Sequence, residues 1–297
     1  MPILTHLFLC SACLLLSMGA QGKEAPPKTS IWKLSDEDSH VYLAGSVHLL
    51  REEDLPFPPA FETAYQDSSE IVFEIDMRVL SSPSTALRIR QIGTLPEGKS
   101  LSSILSPKAM EGIREYLKNS NLPPGLFDSM TPGMVYLTMG SMEATRQGAQ
   151  PELGMESQFF QKAQRDKKSS RGLETPEYQM SRFNEFDDET IEGLIQTTLD
   201  EVDEQDEDLN GIIKAWKAGD LDQLDKLVAQ KMAEEPELKR ILLTERNQNW
   251  IPEIEKALAG KENIMFLVGT AHLVGEDSVI DLLEKNGLEV NQVGTNN

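Results

Sequence analysis

The sequence predicts an α/β protein, with α+β as the neighbouring class. A mostly parallel central sheet would be built from two strand-helix-strand halves, with a large helical insertion between them. Three observations predict it. Near each end of the chain a short apolar run stops at a Gly-x-x-His: Val41–Ala44 before Gly45-Ser46-Val47-His48, and Ile264–Val268 before Gly269-Thr270-Ala271-His272. After the first run, a helical pattern leads to another apolar run, Ile71–Ile75, and such units set parallel strands side by side. Between the two halves, apolar residues recur at helical spacing rather than alternating.

The chain opens with residues 1–22, which hold no Lys, Arg, Asp or Glu and centre on an apolar run, Leu7–Leu16. That run is too short for a stable membrane span and ends at small residues, as a secretory signal does, so it is expected to be removed. Lys23–Ser30 reads as a linker, and 31–297 as a single domain. Ile31–Leu34 alternates and Val41–Ala44 follows a polar turn, which predicts a hairpin. Pro56, Pro58 and Pro59 mark a loop before the helix carrying Ala60, Phe61, Ala64 and Tyr65. Ser106–Lys118 and Thr131–Arg146 are helices with Pro in the first turn; Met134, Leu137, Met139 and Met142 on the second are read as core. Glu156–Asp166 is a helix. Ser170–Glu174 is a short strand, and Thr175-Pro176 starts the next helix. Leu194, Ile195 and Leu199, then Ile212, Ile213 and Trp216, have helical spacing. The acidic run Asp200–Asp208 lacks the spacing of a calcium loop. Glu245-Arg246-Asn247 lies in a helix running toward Ile254. After His272, Val279, Ile280, Leu282 and Leu283 form a helical face, Gly287 stops it, and Leu288–Val290 opens a last strand.

Composition narrows the function. The 297 residues carry a net charge of −21, and the bulk of that charge is read as solubility. Such a balance argues against a nucleic-acid partner, which needs a basic surface. Both cysteines, Cys10 and Cys13, fall in the signal segment, so the mature chain offers no disulfide and no thiolate ligand. Any metal would be held by carboxylates and the mature histidines, His40, His48 and His272; His40 is read as a turn residue.

Four polar residues share one structural address. His48, Glu74, Glu174 and His272 each fall at or just past the carboxyl end of an expected strand, where open α/β sheets bind ligands. A lone Gly-x-x-His carries little information. Two near-identical copies far apart in sequence carry more, and a carboxylate inside Val72-Phe73-Glu74-Ile75 is expensive to bury unless it is paired.

With these residues in view, the sequence resembles the TraB/GumN family, which includes the Tiki-type proteases. The resemblance runs through Tyr42–Leu50, Val72-Phe73-Glu74, Leu153–Glu156 with Phe159, Phe160 and Ala163, and Gly172–Thr175. It continues through Ala215-Trp216 with Gly219-Asp220, then Glu245-Arg246-Asn247, and ends with Val268–Gly275, covering about Ile31 to Val290. The resemblance implies an active site made by the paired Gly-x-x-His motifs and glutamates, and a divalent-metal-dependent peptidase; the segment 1–22 predicts that it is secreted or periplasmic. In that reading His48, Glu74 and His272 hold Mn²⁺, Co²⁺ or Zn²⁺. Glu174 or Glu156 takes a proton from water, and Arg246 steadies a substrate carboxylate or a developing oxyanion. The substrate is a peptide or a small molecule. Two alternatives stay open: a metal-free hydrolase with His48 as general base, and a non-enzymatic protein that binds a small ligand or haem.

Overall fold

In the computed structural model of the chain, residues 28–295 are described, apart from 81, 202–206, 231, 233 and 234. The expected signal segment, the first residues of the linker and part of the acidic run after Asp200 lie outside the described residues. Among the described residues, no helix is long and apolar enough to cross a membrane.

The expected hairpin is present. β1 (Lys28–Ser35) pairs antiparallel with β2 (His40–Ser46), with Ile31 opposite Ala44. The turn closes because Asp36 accepts hydrogen bonds from the Ser39 and Asp38 N–H groups. β1 begins at Lys28, inside the segment expected as linker. α1 (Pro59–Asp67) turns Ala60, Phe61, Ala64 and Tyr65 inward and leads to β3 (Glu70–Ile75). β4 is Ser169–Glu174, β5 is Ile264–Gly269 and β6 is Asn291–Gly294.

The six strands form one sheet in the order β4-β3-β5-β2-β1-β6. β4, β3, β5 and β2 are mutually parallel, while β1 runs antiparallel to both of its neighbours. Two details differ from the sequence reading. β2 and β3 are not side by side, because β5 inserts between them. Its run Met265–Val268 is buried at every residue, so both faces are covered, which suits a central parallel strand. The last strand starts at Asn291 rather than Leu288 and pairs with β1 at the far edge. Gly287, at φ +86°, stops the preceding helix as expected, and Leu288 N–H then bonds back to Leu283 O to close the helix end.

Helices cover the sheet. They include α1 and a later helix, Glu207–Ala218, whose Trp216 ring lies 5.5 Å from Phe61 and donates its indole N–H to Gly45 O at 2.7 Å. The insertion opens with two helices not expected from sequence, α2 (Met77–Leu80) and α3 (Pro83–Ile92). The expected ones follow: α4 (Pro107–Asn119), α5 (Pro132–Arg146), α6 (Met155–Asp166), α7 (Pro176–Arg182) and α8 (Asp188–Glu201). Ser106, Thr131 and Thr175 cap α4, α5 and α7 through their hydroxyls. Leu101, Ile113, Phe127, Val135, Met139, Ile195 and Ile241 belong to a second hydrophobic core, separate from the one around the sheet. Each such side chain fully buried contributes about 1.5–3 kcal/mol. Of the methionines on α5, Met139 is buried and Met134 and Met142 are half-buried. A π-helical turn over Arg240–Thr244 then leads from this core into the helix Glu245–Leu258. That helix returns to the sheet, and the site forms where it arrives.

Candidate active site at the strand ends

β2 and β5 are neighbours in parallel register, Ser46 opposite Gly269, so the two Gly-x-x-His elements leave the sheet together. β3 flanks β5 on its other side and carries Glu74 into the same place. Both imidazole Nε2 atoms face one carboxylate oxygen: His48 Nε2 is 3.9 Å and His272 Nε2 3.8 Å from Glu74 Oε1. Three groups hydrogen-bond the Glu74 carboxylate itself. Gly269 N–H donates to Oε1 at 2.6 Å, while Gln179 Nε2 (2.9 Å) and Arg246 Nη2 (2.6 Å) donate to Oε2. Burial alone would raise this carboxyl, but Arg246, then the two histidines and the Gly269 N–H, outweigh it and hold Glu74 ionised well below the usual range.

Each histidine is anchored through Nδ1. His48 Nδ1–H donates to Glu156 Oε1 at 2.9 Å, and Ser46 Oγ–H donates to the same oxygen. Glu156 reaches it because α6 begins on the His48 loop, where Met155 N–H donates to Val47 O. His272 Nδ1 meets Asn247 Oδ1 at 2.6 Å. Its other nitrogen receives a hydrogen bond from Arg246 Nη1 at 3.1 Å. A guanidinium has no acceptor, so His272 Nε2 carries the lone pair and Nδ1 the proton. The two rings differ in setting. His48 is 60% exposed at the mouth, and the Glu156 charge lifts it to about 9. Burial, then the Arg246 charge, push His272 down to about 3.

Glu174 lies at the end of β4 and is engaged throughout. Arg246 Nε donates to its oxygens at 3.0 and 3.1 Å, Arg246 Nη2 lies 2.9 Å from Oε2, and Trp250 Nε1–H donates to Oε1 at 2.9 Å. Arg246 Nη1 also donates to Leu242 O at 3.0 Å. The guanidinium thereby hydrogen-bonds Glu174, Glu74, His272 Nε2 and Leu242 O. Arg246 joins two buried carboxylates to one imidazole.

All six expected residues thus meet: His48, Glu74, Glu156, Glu174, Arg246 and His272. Gln179, Asn247 and Trp250 join them; Asn247 was named from sequence within Glu245-Arg246-Asn247 but without a role, and Gln179 and Trp250 were not singled out. Arg246 and Trp250 lie one helical turn apart, a spacing that places them on one face. Ser46 and Thr270, inside the two Gly-x-x-His elements, are hydrogen-bonded: Thr270 Oγ1–H donates to Ser46 O at 2.9 Å.

Among the described residues, no group of three or more His, Cys, Asp or Glu side chains is arranged as it stands to hold a metal ion. The chemistry of the donor set nevertheless fits a divalent ion. Two imidazole nitrogens stand 3.9 and 3.8 Å from one carboxylate oxygen, the mixed nitrogen and oxygen donor set that would suit such an ion. A Cβ at Gly269 would intrude there, 3.0 Å from Glu74 Oε1, 3.3 Å from His48 Nε2 and 3.6 Å from His272 Cδ2. Three carboxylates against one guanidinium and the His48 imidazolium leave a net negative charge, which would rise to two once His48 gave up its proton to serve as a ligand. Entry of an ion requires Arg246 Nη1 to release the His272 lone pair.

Fold and site define an α/β protein with a polar cluster at the carboxyl ends of its parallel strands. The chain belongs to the TraB/PrgY/gumN family, whose model matches residues 30–292. It is 20% identical over 244 residues to "Uncharacterized protein YbaP" of Escherichia coli (strain K12), covering 82% of this chain and 88% of that one. It is 24% identical over 314 residues to "Metalloprotease TIKI1" of Danio rerio, covering 88% of this chain and 62% of the relative. With "Metalloprotease TIKI2" of Xenopus tropicalis it shares 24% over 308 residues, covering 84% and 57%. The chain therefore spans less than two thirds of these metalloproteases. No solved structure matches it.

Proposed function

We propose that this chain is a divalent-metal-dependent hydrolase acting on peptide bonds. The observation that carries the reading is the pair of Nε2 atoms facing Glu74 Oε1, each ring anchored through its far nitrogen. Two relatives named as metalloproteases support it. His48, His272 and Glu74 would hold the ion, with Mn²⁺ or Co²⁺ best suited to imidazole and carboxylate and Zn²⁺ next. Once bound, the ion supplies a Lewis acid and lowers the pKa of water.

The other groups then divide the work. Glu156 fixes the His48 ring through Oε1, which leaves Oε2 to take a proton. Glu174 and Trp250 hold Arg246, and Arg246 keeps Glu74 ionised. The substrate enters on the exposed side of His48, opposite the buried His272. The apolar segment 1–22 supports action in the periplasm or outside the cell, and the mass of the exported protein tests whether cleavage falls near Gly19 to Gln21.

One observation favours a second reading. An exposed imidazole oriented by a carboxylate through Nδ1 is also the geometry of a metal-free general base. With His48 lifted to about 9, that base would be protonated at neutral pH, so its rate would climb as pH approaches 9. Hydrolysis of a mixed peptide library with and without chelator separates the two. Activity removed by chelator and restored by Mn²⁺ or Co²⁺ is expected. Chelator-resistant activity rising to pH 9 would replace the metal reading, and no hydrolysis with any of these ions would contradict both.

A further inference from the structure

We propose that Asn247 is the positioning residue of this site, fixing the His272 ring so that Nε2 keeps its lone pair on the side where Arg246 Nη1 and Glu74 lie. Three side chains from one turn of the helix Glu245–Leu258 grip the imidazole. Asn247 Oδ1 takes the Nδ1 proton at 2.6 Å, Arg246 Nη1 donates to Nε2 at 3.1 Å, and the Trp250 ring lies 4.3 Å from the imidazole, tilted 40°. Asn247 is buried and its own orientation is set independently, because Nδ2 donates to Asp277 O at 2.8 Å. A flipped amide would bring Oδ1 against a carbonyl and Nδ2 against the Nδ1–H, so the direction of this bond follows from its surroundings.

The arrangement differs in kind from that of the other histidine. His48 is anchored by a carboxylate, His272 by a neutral amide. An amide accepts the hydrogen bond from Nδ1–H without adding charge beside Arg246. It also ties His272 to the loop that follows it, since Asp277 N–H is held in turn by Asp281 Oδ2 at 2.7 Å. When Arg246 releases Nε2 to an ion, Asn247 and the Trp250 face keep the ring in place. This last step rests on the metal reading; the orientation of the ring does not.

The test is nitrogen-resolved NMR of the ion-free full chain, in the wild type, Asn247→Leu and Asn247→Asp. The wild type is expected to show His272 protonated on Nδ1, with a slowly exchanging downfield proton, and unprotonated on Nε2. Finding the proton on Nε2 in the wild type overturns the proposal without any variant. Asn247→Leu, which cannot accept the proton, should lose that protected signal, while Asn247→Asp should keep it. Equal loss in both folded variants would assign the residue to packing and overturn the proposal. In parallel, Co²⁺ affinity should fall about 10–100-fold in Asn247→Leu, and an unchanged affinity would also count against it. Should the wild type bind no Co²⁺, the metal reading fails and the NMR result alone decides for or against Asn247.

Discussion

At the scale of single residues, two chemically identical side chains are given opposite properties by their surroundings. Glu156 beside His48 favours the imidazolium, whereas burial and Arg246 keep His272 neutral. Since His48 is raised, the stability from its pair with Glu156 is full below the unfolded value near 6.5 and is lost as pH rises through about 9. Its exposure screens that contribution. In ion-free protein, Glu156→Gln should move the His48 midpoint down toward the usual histidine range, checked by NMR titration; an unmoved midpoint would remove Glu156 from this role. Gly269 tests the space between the ligands. Its φ is −52°, so alanine fits the backbone, and only the added methyl intrudes on Glu74 Oε1 and His48 Nε2. Gly269→Ala should weaken Co²⁺ binding at least tenfold, measured by calorimetry, while overpacking costs about 1–3 kcal/mol of stability. Arg246→Met would leave Glu74 and Glu174 buried without their cation, and urea unfolding should register a loss of about 3–5 kcal/mol.

At the scale of elements, the site depends on how closely backbones approach. A Cβ at Gly154 would lie 2.0 Å from His48 O, so only glycine lets α6 begin on the His48 loop and bring Glu156 to the ring. Gly154→Ala should therefore separate Glu156 from His48, lowering the His48 midpoint and cutting hydrolysis at least tenfold with the helix content intact by circular dichroism. Unchanged titration and rate would show that the loop yields without consequence. Gly172 does similar work on the other side, where a Cβ would meet Asp76 N at 2.2 Å and push β4, with Glu174, away from β3. The strand ends were legible in the sequence because a Gly-x-x-His after an apolar run is a local pattern. The grip of Asn247 and Gln179 was not, because each acts on a residue from a distant strand and nothing near it in sequence marks the contact. The slot of β5 between β2 and β3 was likewise hidden, since local patterning marks a strand but does not name its neighbours.

At the scale of the whole molecule, the chain builds two hydrophobic cores and sets its buried ion network where they meet. Ile241 belongs to the helical core; a few residues later, Trp250 and Ile254 belong to the core around the sheet, with Arg246 and Asn247 between them. Charge could therefore be buried only as a paired cluster, and Arg246 closes that cluster. The fold class was legible because its strands and helices follow opposite periodicities, while the position of β6 depended on long-range pairing with β1. The central claim is that His48, Glu74 and His272 form one ion-holding site. It is tested most directly by titrating Co²⁺ into ion-free wild type, His48→Ala and His272→Ala, following the metal's visible absorption bands with folding checked by circular dichroism. One ion per wild-type chain, with the bands weakened or lost in both folded variants, is the expected result; the same stoichiometry and spectrum in all three proteins would contradict the claim.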